Sequence, residues 1–210
     1  MPEWLDGHGC THRVVANQAP EFSTIPMNSS LLSDRDFIAR LRPALPGLLL
    51  AVLTLLFGFG LGIVFGLNED AIKSQLKASA VAGKDTVYRG DDAAIKAVLD
   101  KSWIYMQRAH LHAGGIGTAA LGLIFLVGAL GTSAGLTRAI ALALGLGGLG
   151  YSVYWMWAGF RAPVLGGTGA AKESLKWLAM PTSGAVLLAT IAVAVLLAGA
   201  LLKGRDQAEK

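Results

Sequence analysis

Two histidines stand where a histidine is costly. His110 and His112 enter an apolar run directly behind Arg108, in the stretch Trp103-Ile-Tyr-Met-Gln-Arg-Ala-His-Leu-His-Ala-Gly-Gly-Ile-Gly117. Ionisable side chains at membrane depth are rare and read first as parts of a site. Neutral imidazole is also the commonest metal ligand. On a helix, residues two apart point about 200° from one another. The pair therefore cannot close on one metal while the helix stays regular; each imidazole serves its own side.

The neighbours extend the two sides differently. Met106 lies one turn before His110 and could share a ligand face with it. Arg108 lies one turn before His112, placed to satisfy an anionic group such as a haem propionate or a lipid phosphate. Gly114 and Gly117 follow His110 on its face and leave a flat surface for a planar cofactor or another helix. Three roles are open to the histidines. They could hydrogen-bond to a neighbouring helix, a loop carbonyl or water. They could ligate haem b or copper, with His110 and His112 as metal ligands and Met106 and Arg108 as further cofactor contacts. They could relay protons or touch a quinone. No catalytic residue can be named, because the apolar runs hold no nucleophile–base pairing.

The His110-Leu-His112 pair, with glycines shortly after and an aliphatic run beyond, resembles the His-x-His helix of subunit I in the haem–copper oxidase superfamily. It is similar also to that of small bacterial membrane proteins bearing the same pair. In the oxidases such histidines hold two haems on opposite helix faces, so the resemblance implies ligation on two sides. It covers only the segment around the pair. Those oxidases need further histidines on other helices, and here only His8 and His12 remain. A complete oxidase centre is excluded. A single haem or copper would need Met106, Met156 or Met180, or a histidine from a second subunit.

The elements that carry this pair must cross a membrane. Of 210 residues, 53% are hydrophobic and 15% charged, against about 25% charged in soluble domains. Apolar residues gather into four runs, 44–66, 109–130, 139–160 and 181–202, none holding an Asp, Glu, Lys or Arg. Each reaches the roughly 20 residues a helix needs to span the hydrocarbon core. Barrel strands are shorter and alternate in polarity. The fold class expected is all-α: an integral membrane four-helix bundle with short interfacial helices in its outer loops. A polar tail and short amphipathic segment (1–43) precede this domain (44–202), whose outer loops are 67–108 and 161–180, and a tail (203–210) follows. The lipid bilayer is the expected partner. A net charge of +4 is too small and scattered for nucleic acid, and the lone Cys10 allows no internal disulfide. Without an acidic residue in the runs or an inverted repeat, a transporter is disfavoured.

Residues 1–26 are polar and lack the apolar core of a signal peptide, so translation is expected to begin at Met27. The cluster His8-Gly-Cys10-Thr-His12 suits a soft metal but lacks a fourth ligand and a rigid frame. Arg35, Arg40, Arg42, Arg138, Lys203 and Arg205 fall on one side of the membrane, and the other side balances its cations with Glu69, Asp70, Asp85, Asp91, Asp92 and Asp100. The positive-inside rule then places both termini in the cytoplasm. The location expected is a bacterial inner membrane.

On the outer side, the spacing predicts a helix capped by Asn68, a turn or short strand over 84–89, and a second helix from Asp91 or Asp92 that runs on into the second span. Pro163 is expected to break the third run, and Thr168 to cap an interfacial helix with Leu175 and Trp177 towards the membrane. These segments could form a lid over the histidines. Trp103, Tyr105, Tyr151, Tyr154, Trp155, Trp157, Phe160 and Trp177 all fall at this end, as an aromatic belt or a packed rim. Gly58, Gly62 and Gly66 form a small-residue ladder that lets helices approach closely, towards other membrane subunits or a second copy. Gly145, Gly147, Gly148 and Gly150 lie within a span and so make no phosphate loop. Two functions remain. One is a non-enzymatic subunit or assembly-stabilising factor of a larger membrane complex; the other is a small haem- or copper-binding redox protein using His110 or His112.

Overall fold

The computed structural model describes residues 34–208, and every regular element among them is helical. The order is α1 (Asp34–Leu41), a 3-10 turn (Arg42–Ala44), α2 (Leu45–Ala82), α3 (Asp92–Ala129), α4 (Ala134–Val164), α5 (Thr168–Ser174) and α6 (Lys176–Ala208). Four helices are long and apolar enough to cross a membrane: Phe37–Ala82, Asp92–Ala129, Ala134–Val164 and Lys176–Gly204. They pack together as an all-α bundle, the fold class that the apolar runs predict. Helices satisfy every backbone N–H and C=O internally, which lipid demands. The Met27 start and the His8–Cys10–His12 cluster lie outside the described residues.

Local signals set the helix ends. The Asp91 carboxylate accepts from Ala94 N–H at 2.9 Å and starts α3, as predicted. Ser133 Oγ accepts from Leu136 N–H at 3.4 Å at the start of α4. The first expected outer helix follows the span across a kink: Asn68, at φ −129° and ψ 23°, is non-helical and divides α2 into a spanning part and an outer part. The 38 residues of α2 trace about 57 Å along the kinked axis, nearly twice the hydrocarbon thickness. Segment 84–89 is turn, with no strand.

Three expectations change at the α4–α6 connection. Pro163 does not break α4 at once, since the helix continues to Val164 with Pro163 buried; proline removes a hydrogen bond four residues back but still tolerates helical φ. Gly167, not Thr168, occupies the N-cap of α5, and no side chain caps it. Leu175 turns into the bundle at 0% exposure, whereas Trp177 is 63% exposed. The backbone breaks between α5 and α6 at Leu175 (φ −116°, ψ 13°), which rotates the two side chains to different faces.

α2, α3 and α4 pack on one another, while α6 packs on α4 and barely reaches α3. Missing side chains make these contacts close. A Cβ on Gly145 would stand 2.7 Å from the Gly47 carbonyl oxygen, and one on Gly147 would stand 2.8 Å from the Thr182 carbonyl oxygen. The ladder of α2 is used internally. A Cβ on Gly58 would meet Ala113 Cβ at 3.0 Å and one on Gly62 would meet His110 Cε1 at 2.8 Å, so only Gly66 stays open. Gly58 is buried against α3, and Gly62 is partly covered by the His110 ring.

The two ends of the bundle differ. Arg42 and Arg138 border one pocket with Pro43 and Pro46, and Arg40 lies beside Gly131. The opposite end is folded over by the α2–α3 hairpin. There the buried Tyr88 donates its hydroxyl to the Pro163 carbonyl at 2.7 Å, filling an acceptor that the end of α4 leaves free. Gly166 (φ +71°) passes close beneath Val87, where a Cβ would fall 2.5 Å from its Cγ1; only glycine suits both the backbone and the gap. Burial in this contact raises the pKa of the Tyr88 phenol. The hydrogen bond of Lys84 to Asp92, at 2.8 Å, raises that of the Lys84 ammonium.

Candidate functional site

α3 brings Met106, Arg108, His110 and His112 to the hairpin end of the bundle, and its 3.6-residue turn sends them to different neighbours. His110 faces α2. Its Nδ1 lies 2.7 Å from the Gly58 carbonyl oxygen. A carbonyl only accepts, so Nδ1 carries the proton, and the neutral ring presents Nε2 as a bare lone pair. Gly62 permits this, since the ring edge occupies the volume a side chain there would fill.

His112 faces α4. Its Nδ1 lies 2.7 Å from the Arg108 carbonyl oxygen, one turn back on its own helix. The same reasoning fixes the same tautomer, with Nε2 bare. The ring packs on Tyr151 (5.2 Å between centroids) and Trp155 (5.7 Å). The Arg108 guanidinium lies 5.0 Å from the Trp155 ring and 5.4 Å from the Tyr105 ring. Its charge is thus held against aromatic faces. The structure therefore joins Arg108 to His112, as their spacing predicts, and separates both from His110.

Met106 is used for packing. It is 1% exposed and clusters with Phe65 and Leu76, and its Cγ would lie 2.6 Å from a Cβ on Gly159. Among the described residues, no three of His, Cys, Asp and Glu converge on one point.

The aromatic end divides into rim and belt. Tyr105 and Tyr154 are buried, and Tyr151 and Trp155 pack on them, with Tyr105 and Trp155 edge-on at 4.9 Å. Trp157, Phe160 and Trp177 are exposed, as a headgroup-level belt requires. The Trp155 Nε1–H is buried and has no hydrogen-bond partner among the described residues.

On the His110 side a groove of about 390 Å³ opens between α2 and α3, lined by Gly62, Phe65, Gly66, Glu69, Trp103, Gln107, His110 and Leu111. Trp103 tilts against Phe65 at 5.3 Å. Lys73 lies over the Trp103 ring, 5.0 Å from its centroid, and pairs with Glu69. Glu69 and Gln107 are the residues that sequence reasoning missed. Their only signal was polarity one to two turns from Gly62 and His110, and that is useful only once the register of α2 on α3 is known. Comparison of the chain with protein-family models, curated proteins and solved structures finds no match.

Proposed function

We propose that this multi-pass chain is a non-enzymatic subunit or assembly-stabilising factor of a larger membrane complex, docked to another transmembrane helix through α3. The observation that carries this reading is the lipid-facing side of α3. Gly115, Thr118, Ala119 and Gly122 are all exposed there, and a Cβ on Gly115 or Gly122 would meet nothing within 4 Å. Lipid tails are as apolar as leucine, so helix association in a bilayer relies on close backbone packing, and small residues supply it. Gly58, Gly145, Gly147, Gly150 and Gly159 are spent on packing inside the bundle, and this face of α3 is left unfilled.

The test is a Gly115→Leu, Gly122→Leu double variant. Both leucines would point into open space, so the bundle should fold unchanged. Extracted from native membranes in mild detergent, the parent chain is expected in an assembly heavier than its own 21.8 kDa, and the double variant at its own mass. An unchanged assembly in the variant, or a parent chain that runs alone, overturns the reading.

The two fixed imidazoles favour a second reading, ligation of haem or copper by His110 or His112. A backbone carbonyl on Nδ1 is the usual way to orient a ligating Nε2. Among the described residues no further His, Cys, Asp or Glu completes a set of three around either ring. Purified protein without a Soret band and without stoichiometric copper or iron would remove this reading.

A further inference from the structure

We propose that the groove between α2 and α3 beside His110 binds the head group of a membrane-soluble hydroquinone, whose hydroxyls donate to His110 Nε2 and to the Glu69 carboxylate. The polar wall is rich in acceptors. The Gly58 carbonyl takes the Nδ1 proton of His110, which leaves Nε2 able only to accept in the neutral ring. Glu69 adds carboxylate oxygens, and its charge is balanced by Lys73. Gln107 can donate or accept. A ligand that completes this wall brings hydrogen-bond donors. A phosphate or carboxylate head offers acceptors and would leave Nε2 without a donor.

The shape selects a flat ring. Gly62 and Gly66 put no side chain into the groove, and Trp103 and Phe65 close it with aromatic surface. At about 390 Å³, it falls at the small end of ligand sites. The groove lies between two helices long and apolar enough to cross a membrane, and Gly66 and Leu111 in its lining are both exposed. A ligand dissolved in the bilayer can therefore enter without leaving it and keep an apolar tail in lipid. Hydroxyl donors, a planar ring and a lipid-soluble tail together describe a hydroquinone.

The experiment uses the full chain in phosphatidylcholine nanodiscs, titrated with a hydroquinone bearing a short alkyl tail and followed by tryptophan quenching. Saturable binding is expected. It should weaken about tenfold in His110→Phe, the loss of one good hydrogen bond, and about a hundredfold for the oxidised quinone, which lacks both hydroxyl donors. Gly66→Leu should block it while the thermal midpoint stays at the parent value, because nothing lies within 4 Å of a Cβ there. His112→Phe and the Gly115→Leu, Gly122→Leu double variant should bind as the parent does, which separates this site from the proposed docking face. Partition without saturation, equal binding of the oxidised quinone, unimpaired binding by Gly66→Leu, or displacement by anionic phospholipid would each overturn the proposal.

Discussion

The imidazole of His110 and the carbonyl of Gly58 meet at 2.7 Å across two helices, 52 residues apart in the chain. This bond ties α3 to α2 at membrane depth, and it fixes which nitrogen of His110 is left for anything else. His112 makes its equivalent bond within α3. Two histidines of one motif thus differ in what they hold together.

That difference is measurable as stability. His110→Ala removes an interhelical hydrogen bond of the kind that contributes about 0.6 kcal/mol in membrane bundles and at most about 1.7, whereas His112→Ala removes an intrahelical one. In reversible unfolding from mixed micelles, His110→Ala should lower stability more than His112→Ala. The reverse order would show that the α2 contact carries little.

Both rings should carry the proton on Nδ1. Nitrogen-15 NMR of histidine-labelled protein at neutral to mildly alkaline pH is expected to show a bare Nε2 resonance for each of His110 and His112, assigned by single substitution. A protonated Nε2 on neutral His110 would contradict the bond to Gly58.

Gly62 and Gly66 are one turn apart on α2 and should tolerate change very differently. A side chain at Gly62 displaces the His110 ring, and such overpacking costs about 1–3 kcal/mol. Gly62→Leu should lower the melting temperature clearly, and Gly66→Leu should not. Equal melting of the two variants would place His110 elsewhere.

α6 depends on a single seam. Gly147 and Gly150 receive Val186 and Thr182, and a Cβ on Gly150 would fall 2.5 Å from Thr182 Cγ2. Gly147→Leu should loosen α6 from α4 while leaving the α2–α3–α4 packing in place. Spin labels on α4 and α6 would then give a broadened distance distribution, with the α2–α3 distance unchanged.

The hairpin contact should be sensitive to alkali. The Tyr88 pKa is raised by burial, so its neutral form is favoured in the fold. Its contribution is complete below the ordinary tyrosine value of about 10 and is lost as pH rises through the higher folded value. Lys84 has the same sign, because its bond to Asp92 favours the charged form. Tyrosinate absorbance should rise later in the parent chain than in unfolded protein, and Tyr88→Phe should reduce the delayed component. Tyr88→Phe should also cost about 1 kcal/mol through the lost bond to Pro163.

Much of this was written in local order along the chain. The length and polarity of four runs require spanning helices, because lipid leaves the backbone no other partner. Asp91 announces the start of α3, Asn68 the irregularity in α2, and the two-residue spacing of His110 and His112 their opposite faces. These follow from helix periodicity and from groups a few residues apart, so one strand of sequence is enough.

What only the tertiary structure decided is register and neighbour. Nothing local says that Gly62 lies under His110, that Gly66 one turn on remains open, or that α3, not α2, exposes the small-residue face. The rotation of Leu175 into the bundle depends likewise on contacts with distant helices. In a bilayer the apolar effect that would rank one helix face over another is weak, and the faces of α2 and α3 are alike in composition. Close fit between particular glycines and particular side chains makes the choice, and that fit exists only when the helices are side by side.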